Sequence, residues 1–156
     1  TLFTVINNRS KSGAHSGLLI NGSQRVIFDP AGTWYHPDLP ERNDVHFGMT
    51  DDAVDFYVDY HARITFHVVI QEVVVSPAVA EKALQLALAH GPASKARCSI
   101  SISSLLRQLP GFESVKQTWY PKKLMDSFAT LPGVKTETVF DNDPDDNTGF
   151  ILAPRL

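Results

Sequence analysis

Residues 14–29 read Ala14-His15-Ser16-Gly17-Leu18-Leu19-Ile20-Asn21-Gly22-Ser23-Gln24-Arg25-Val26-Ile27-Phe28-Asp29, and Pro30 follows. Residues 14–20 have the composition of a strand. Asn21-Gly22 is the strongest short hairpin signal in the chain. Residues 24–29 form the return strand, with Val26 and Phe28 set against Arg25 and Ile27. Pro30 breaks it. This hairpin puts His15 and Asp29 together at its open end, with the turn at the other. Each residue also has a structural reading: a histidine beside a strand is commonly architectural, and Asp before Pro commonly caps a turn.

The single cysteine, Cys98, gives that pairing its interest. It lies in Ser94-Lys95-Ala96-Arg97-Cys98-Ser99-Ile100-Ser101-Ile102-Ser103-Ser104-Leu105-Leu106. Apolar residues at 102, 105, 106 and 109 follow helical spacing, and Pro110-Gly111 stops the repeat. Cys98 therefore opens a predicted helix. Exposed N–H groups and the positive end of the helix dipole favour a thiolate there, and Arg97 adds charge. The alternative is a small buried hydrophobe. A thiol attacks acyl carbon well only as the thiolate, so it needs a base within reach. An imidazole serves when a third polar group fixes its tautomer. His15 and Asp29 are candidates for those two roles, and the helix N–H groups could hold an oxyanion.

The run from Ala14 to Ile20, the turn, and Arg25-Val26-Ile27-Phe28-Asp29 resemble the histidine hairpin of the permuted NlpC-like branch of papain-fold thiol enzymes. Lecithin:retinol acyltransferase-like proteins belong to that branch. There the histidine hairpin comes first and the cysteine helix much later, as His15 and Cys98 do here. The third position is often His or Glu in relatives, and Asp29 is chemically acceptable. The resemblance covers mainly residues 14–29 and 94–109. It implies an α+β, papain-like fold with a small antiparallel sheet packed against helices. It also implies an enzyme with Cys98 as nucleophile, His15 as base and then acid, and Asp29 as orienter. The reaction would be hydrolysis of an amide bond in a peptide-like or cell-wall (peptidoglycan-type) substrate. The alternatives are acyl transfer or ester cleavage on lipid, and a non-catalytic binding module for a peptide, glycan or protein partner. Trp34 and Tyr35 follow Asp29 closely and are expected to wall the substrate cleft. The competing reading makes them a plug for a minor core.

Around these segments the chain predicts a strand over residues 2–6, a loop over 8–13, and a long aromatic loop over 31–48. A helix capped by Thr50 runs to His61, with a β-branched strand over 64–75 after it. Ser76-Pro77 starts a helix that ends at Gly91-Pro92. Tyr120-Pro121 opens another, running to about residue 131. A strand over 134–140, an acidic turn over 141–148 and a last strand over 150–152 complete the reading. Nothing divides residues 1–156, which are expected to form one domain.

The apolar share of 43% supports a real core. A formal charge of −3 gives no footprint for nucleic acid. One cysteine excludes an internal disulfide. His36, His46, His61, His67 and His90 match no recognised metal spacing, and the acidic turn lacks the glycine and terminal Glu of an EF-hand. No cofactor and no metal are expected. No signal peptide, lipid-anchor motif or membrane-spanning apolar run is present in these residues. Location stays open, with a periplasmic or secreted setting favoured.

Overall fold

The computed structural model describes residues 1–147. Among these residues seven strands form one antiparallel sheet: β1 (Leu2–Asn7), β2 (Gly13–Asn21), β3 (Arg25–Phe28), β4 (Glu41–Arg42), β5 (Val45–Phe47), β6 (Phe66–Glu72) and β7 (Lys135–Phe140). Their spatial order is β4-β5-β3-β2-β1-β6-β7. Four helices accompany them: α1 (Asp51–His61), α2 (Pro77–His90), α3 (Cys98–Leu106) and α4 (Pro121–Phe128). The protein is α+β, as its sequence predicts. The strand expected over residues 150–152 lies outside the described residues.

The sheet is covered on both faces. Leu2, Leu18, Ile20, Val26 and Phe28 point to one side and pack with Leu84, Ile102, Leu106, Leu124 and Phe128 of α2, α3 and α4. Phe3, Leu19 and Ile27 point to the other, against Met49 and against Ala53, Tyr57 and Val58 of α1. This explains why the central strands read as nearly continuous apolar runs. Successive side chains go to opposite faces, and both faces are dry. Each buried Leu, Ile or Phe contributes roughly 1.5–3 kcal/mol of transfer free energy, so these two layers dominate stability.

Helix starts are local and were legible. Thr50 accepts the Ala53 N–H, and Asp51 and Asp52 occupy the positive end of α1. Ser76 caps α2, with Pro77 at its first position. Some boundaries moved for tertiary reasons. α3 ends at Leu106, and the apolar repeat continues to buried Leu109 through tighter turns, with Gln108 N–H bonded to Leu105 O and Leu109 N–H to Leu106 O. β6 ends at Glu72, where its ladder with β7 closes on Lys135, one residue past the last pair with β1, Gln71 with Leu2. Val73–Val75 then cross to α2.

The hairpin expected at Asn21-Gly22 forms, and the loop expected over 31–48 is corrected. The β2–β3 connection is three residues, since Asn21 pairs with Arg25. Gly22 keeps an ordinary φ. It is small because α2 approaches: an added Cβ would lie 3.1 Å from Glu81 Oε2 and from Leu84 Cδ2. The expected loop over 31–48 contains the β4–β5 hairpin, turned by Asn43 and Asp44 with φ of 53° and 63°. Strands of two and three residues carry no readable period. They form because β5 completes the ladder of β3, with Phe28 opposite Val45.

Candidate active site

The site sits where the sheet opens. β2 and β3 are paired only from Leu18–Phe28 onward to the turn, because Pro30 ends the return strand. Beside His15 and Ser16, β2 has no β3 neighbour. Residues 15, 17 and 19 face α1, whereas 16, 18 and 20 face α3. The first turn of α3 fills the gap. The Ser16 N–H is directed to Cys98 and favours the thiolate form of its sulfur. Ser16 Oγ and Ser99 Oγ, 3.1 Å apart, bind strand to helix. Ser99 Oγ also lies 3.8 Å from Cys98 Sγ.

His15 Nε2 donates to Asp29 Oδ1 at 2.6 Å. That leaves Nδ1 as the ring nitrogen available to Cys98, which lies near enough for the two groups to shift each other's ionisation. Burial disfavours the His15 imidazolium, but the charge and hydrogen bond of Asp29, with Cys98, outweigh it and raise its pKa to about 10. Burial also pushes the Cys98 thiol up. His15, then the Ser99 hydroxyl and the Ser16 N–H, reverse this and bring it below its usual value. Burial would raise the Asp29 carboxyl, yet His15, His61 and the Tyr57 hydroxyl hold it well below the carboxylate range. The pair is therefore disposed to a thiolate–imidazolium state.

The three residues picked from the sequence are brought together. Trp34 and Tyr35 are not. Trp34 is 3% exposed and packs edge-on against Tyr57 and His46 in the α1-side core. The apolar indole is worth more against α1 than at a cleft wall. Tyr35 points outward at 67% exposure.

Three contributors were missed. Tyr57, buried in α1, donates its hydroxyl to the same Asp29 Oδ1 at 2.7 Å. Burial first, then Asp29, raises its pKa well above the usual value, so it stays a donor. One turn on, His61 stacks on His15 with centroids 5.7 Å apart and planes 11° apart. Its Nδ1–H donates to Tyr57 O at 2.8 Å. Burial, with repulsion from His15 and Arg63 against attraction to Asp29, lowers its pKa to about 4, so it buttresses His15 as a neutral ring. The i, i+4 spacing of Tyr57 and His61 was the available signal. Asp44 is the third. Its carboxylate accepts N–H bonds from Ala31 at 3.3 Å and Ala93 at 2.7 Å, and its carbonyl accepts from Asp29 N–H at 2.8 Å. One residue thus braces the segment after Asp29 and the approach to Cys98.

Two glycines make room. A Cβ at Gly17 would lie 2.2 Å from Tyr57 Oη, and one at Gly32 would lie 1.7 Å from Asp29 Oδ2. α3 begins without a side-chain cap on its N–H groups, which leaves donors beside the sulfur for a developing oxyanion. Chemically, the arrangement suits attack of the Cys98 sulfur on an acyl carbon and proton delivery from His15 to the leaving group.

Other polar clusters have local roles. Asp59, Asp141 and Asp143 converge closely enough for a cation, but the buried Arg63 Nη1 lies 3.9, 3.8 and 4.0 Å from their carboxylates and supplies positive charge. Two clefts of about 700 and 480 Å³ lie elsewhere, and neither is lined by Cys98, His15 or Asp29. Charge and geometry, not cavity size, mark the site. No helix of the described residues is long and apolar enough to cross a membrane. Comparison with protein-family models, curated proteins and solved structures gave no match.

Proposed function

We propose that this chain is a cysteine-nucleophile hydrolase of the permuted papain-like type, cleaving an amide bond in a peptide-like or cell-wall substrate through an acyl-enzyme. The observation that carries the reading is His15 lying between Asp29 and Cys98, bonded to the first at 2.6 Å and lowering the pKa of the second. The Cys98 sulfur attacks the carbonyl carbon. The carbonyl electron pair moves to oxygen, where the helix N–H groups receive it. On collapse, His15 gives its proton to the departing nitrogen. Water, deprotonated by His15, then attacks the acyl carbon, which releases the acid and restores the thiolate–imidazolium pair. An acceptor hydroxyl or amine could replace water at that step, which would make the same residues a transferase.

The test is chemical. Iodoacetamide should label Cys98 near neutral pH faster than it labels an ordinary thiol, and His15→Ala should slow that labelling. Peptidoglycan stem peptides should yield cleavage products with the wild type and none with Cys98→Ala. Labelling only after unfolding would mark a buried structural thiol and overturn the reading.

A further inference from the structure

Arg97 immediately precedes the nucleophile and is exposed. Its guanidinium lies 5.1 Å over the Trp119 ring, and it makes no hydrogen bond or ion pair among the described residues. Ala96, at a φ of 62°, turns the chain just before it. Trp119 belongs to a segment that bridges the two halves of the site. At one end, Thr118 N–H donates to Ser103 Oγ of α3 at 3.1 Å. At the other, Pro121 and Lys122 press on Gly13, where an added Cβ would lie 2.5 Å from the Lys122 nitrogen. Gly13 is two residues from His15, and Arg97 is one from Cys98. Residues 118–121 therefore form a rim beside the thiol–imidazole pair.

That rim is aromatic and cationic. Trp119 and Tyr120 are 52% and 62% exposed, and Lys123 Nζ lies 4.8 Å over the Tyr120 ring. Lys95 is exposed nearby in sequence, whereas Lys122 is paired with Asp126 at 3.8 Å. An arginine resting on an aromatic face is already ordered and keeps its edge donors for a planar anion. In a chain of net charge −3, an unpaired guanidinium seated on Trp119, one residue before the nucleophile, has a recognisable use.

We infer that Arg97, seated on Trp119, is a specificity residue that binds an anionic group, carboxylate or phosphate, of the acyl substrate presented to Cys98. This rests on the hydrolase reading above. The bound anion lies on the rim side of the scissile carbonyl, and its ion pair with Arg97 positions the carbonyl over the sulfur.

The experiment compares two alkylating agents of similar size, anionic iodoacetate and neutral iodoacetamide. In both, the Cys98 sulfur bonds to the methylene carbon and iodide leaves with the electron pair. Their rate ratio is measured in wild type, Arg97→Gln and Trp119→Ala at low and high salt. The positive charge of His15 is common to all three proteins. Arg97→Gln should lower the iodoacetate rate several-fold more than the iodoacetamide rate, and salt should erase the difference. Trp119→Ala should give a smaller loss in the same direction. An unchanged ratio, or an equal fall in both rates, overturns the proposal.

A second measurement does not need the thiol. In Cys98→Ala, iodide and acrylamide quenching of Trp119 fluorescence is compared with and without Arg97→Gln. Loss of the iodide preference in the variant supports anion capture, and its persistence overturns it. If native Cys98 resists both alkylating agents, the hydrolase reading fails, and quenching alone decides the anion site. Acyl substrates bearing a carboxylate, a phosphate or neither then distinguish the two anions.

Discussion

The Tyr57 hydroxyl and the Asp29 carboxylate are held 2.7 Å apart in the α1-side core, on the oxygen that also receives His15. One buried oxygen thus joins a helix, a strand end and the base. The stability of the fold and the ionisation of the site are linked at that point.

Asp29→Asn removes the anion and leaves the shape. The His15 pKa should fall from about 10 toward its ordinary 6.5, and less Cys98 should be thiolate at neutral pH. Turnover is expected to drop by about 10⁴, the loss seen when such an orienting Asp is replaced by its amide. The pH dependence of alkylation checks it: a profile identical to wild type would mean that Asp29 does not set the ionisation of the pair.

Tyr57→Phe removes a donor from a buried carboxylate, at a cost of about 1–3 kcal/mol. The phenol also competes for the oxygen that holds His15. Without it, the upper pKa of the activity profile should rise. A downward shift would show that Tyr57 acts on His15 by another route. Gly17→Ala should cost about 1–3 kcal/mol through overpacking, because its Cβ would meet Tyr57 Oη at 2.2 Å. In the Tyr57→Phe background that cost should shrink, so urea denaturation of the four proteins should give a coupling energy above about 0.5 kcal/mol.

Asp44→Ala should loosen both arms of the site together, since its carboxylate holds Ala31 and Ala93. We expect a loss of about 1–3 kcal/mol and slower labelling of Cys98. Amide hydrogen exchange should rise at both residues 31 and 93. Exchange rising at only one of them would mean that the two bonds are not a shared brace.

The combined contribution of His15 and His61 to stability should peak near pH 6.5 and fall on either side. His15 is raised to about 10, so its contribution is fully present below about pH 6.5 and is lost as pH rises through 10. His61 is lowered to about 4, so the unfolded chain takes up its proton first and stability falls as pH drops from 6.5 to 4. Asp29 is lowered, so its contribution is lost at still more acidic pH. A tenfold difference in proton affinity between the folded and unfolded chain corresponds to about 1.4 kcal/mol. Urea midpoints against pH check this, and His61→Gln should flatten the slope between pH 6.5 and 4.

Sequence alone determined the features that depend on neighbours along the chain. Caps at Thr50 and Ser76, the strand–turn–strand over residues 14–29 and the helix opening at Cys98 are local physics, so residue types and spacing specify them. That Cys98, His15 and Asp29 are candidates was also legible, because few residue types can act as nucleophile, base and orienter. Tertiary structure decided what depends on packing across the chain. Trp34 went into the core because α1 offered an apolar face to its indole. Tyr57 and His61 joined the site because α1 lies on the His15 side of β2, which no local pattern states. The sheet opens beside His15 because Pro30 ends β3 early, and only in the folded chain does α3 bring its first residue into that gap.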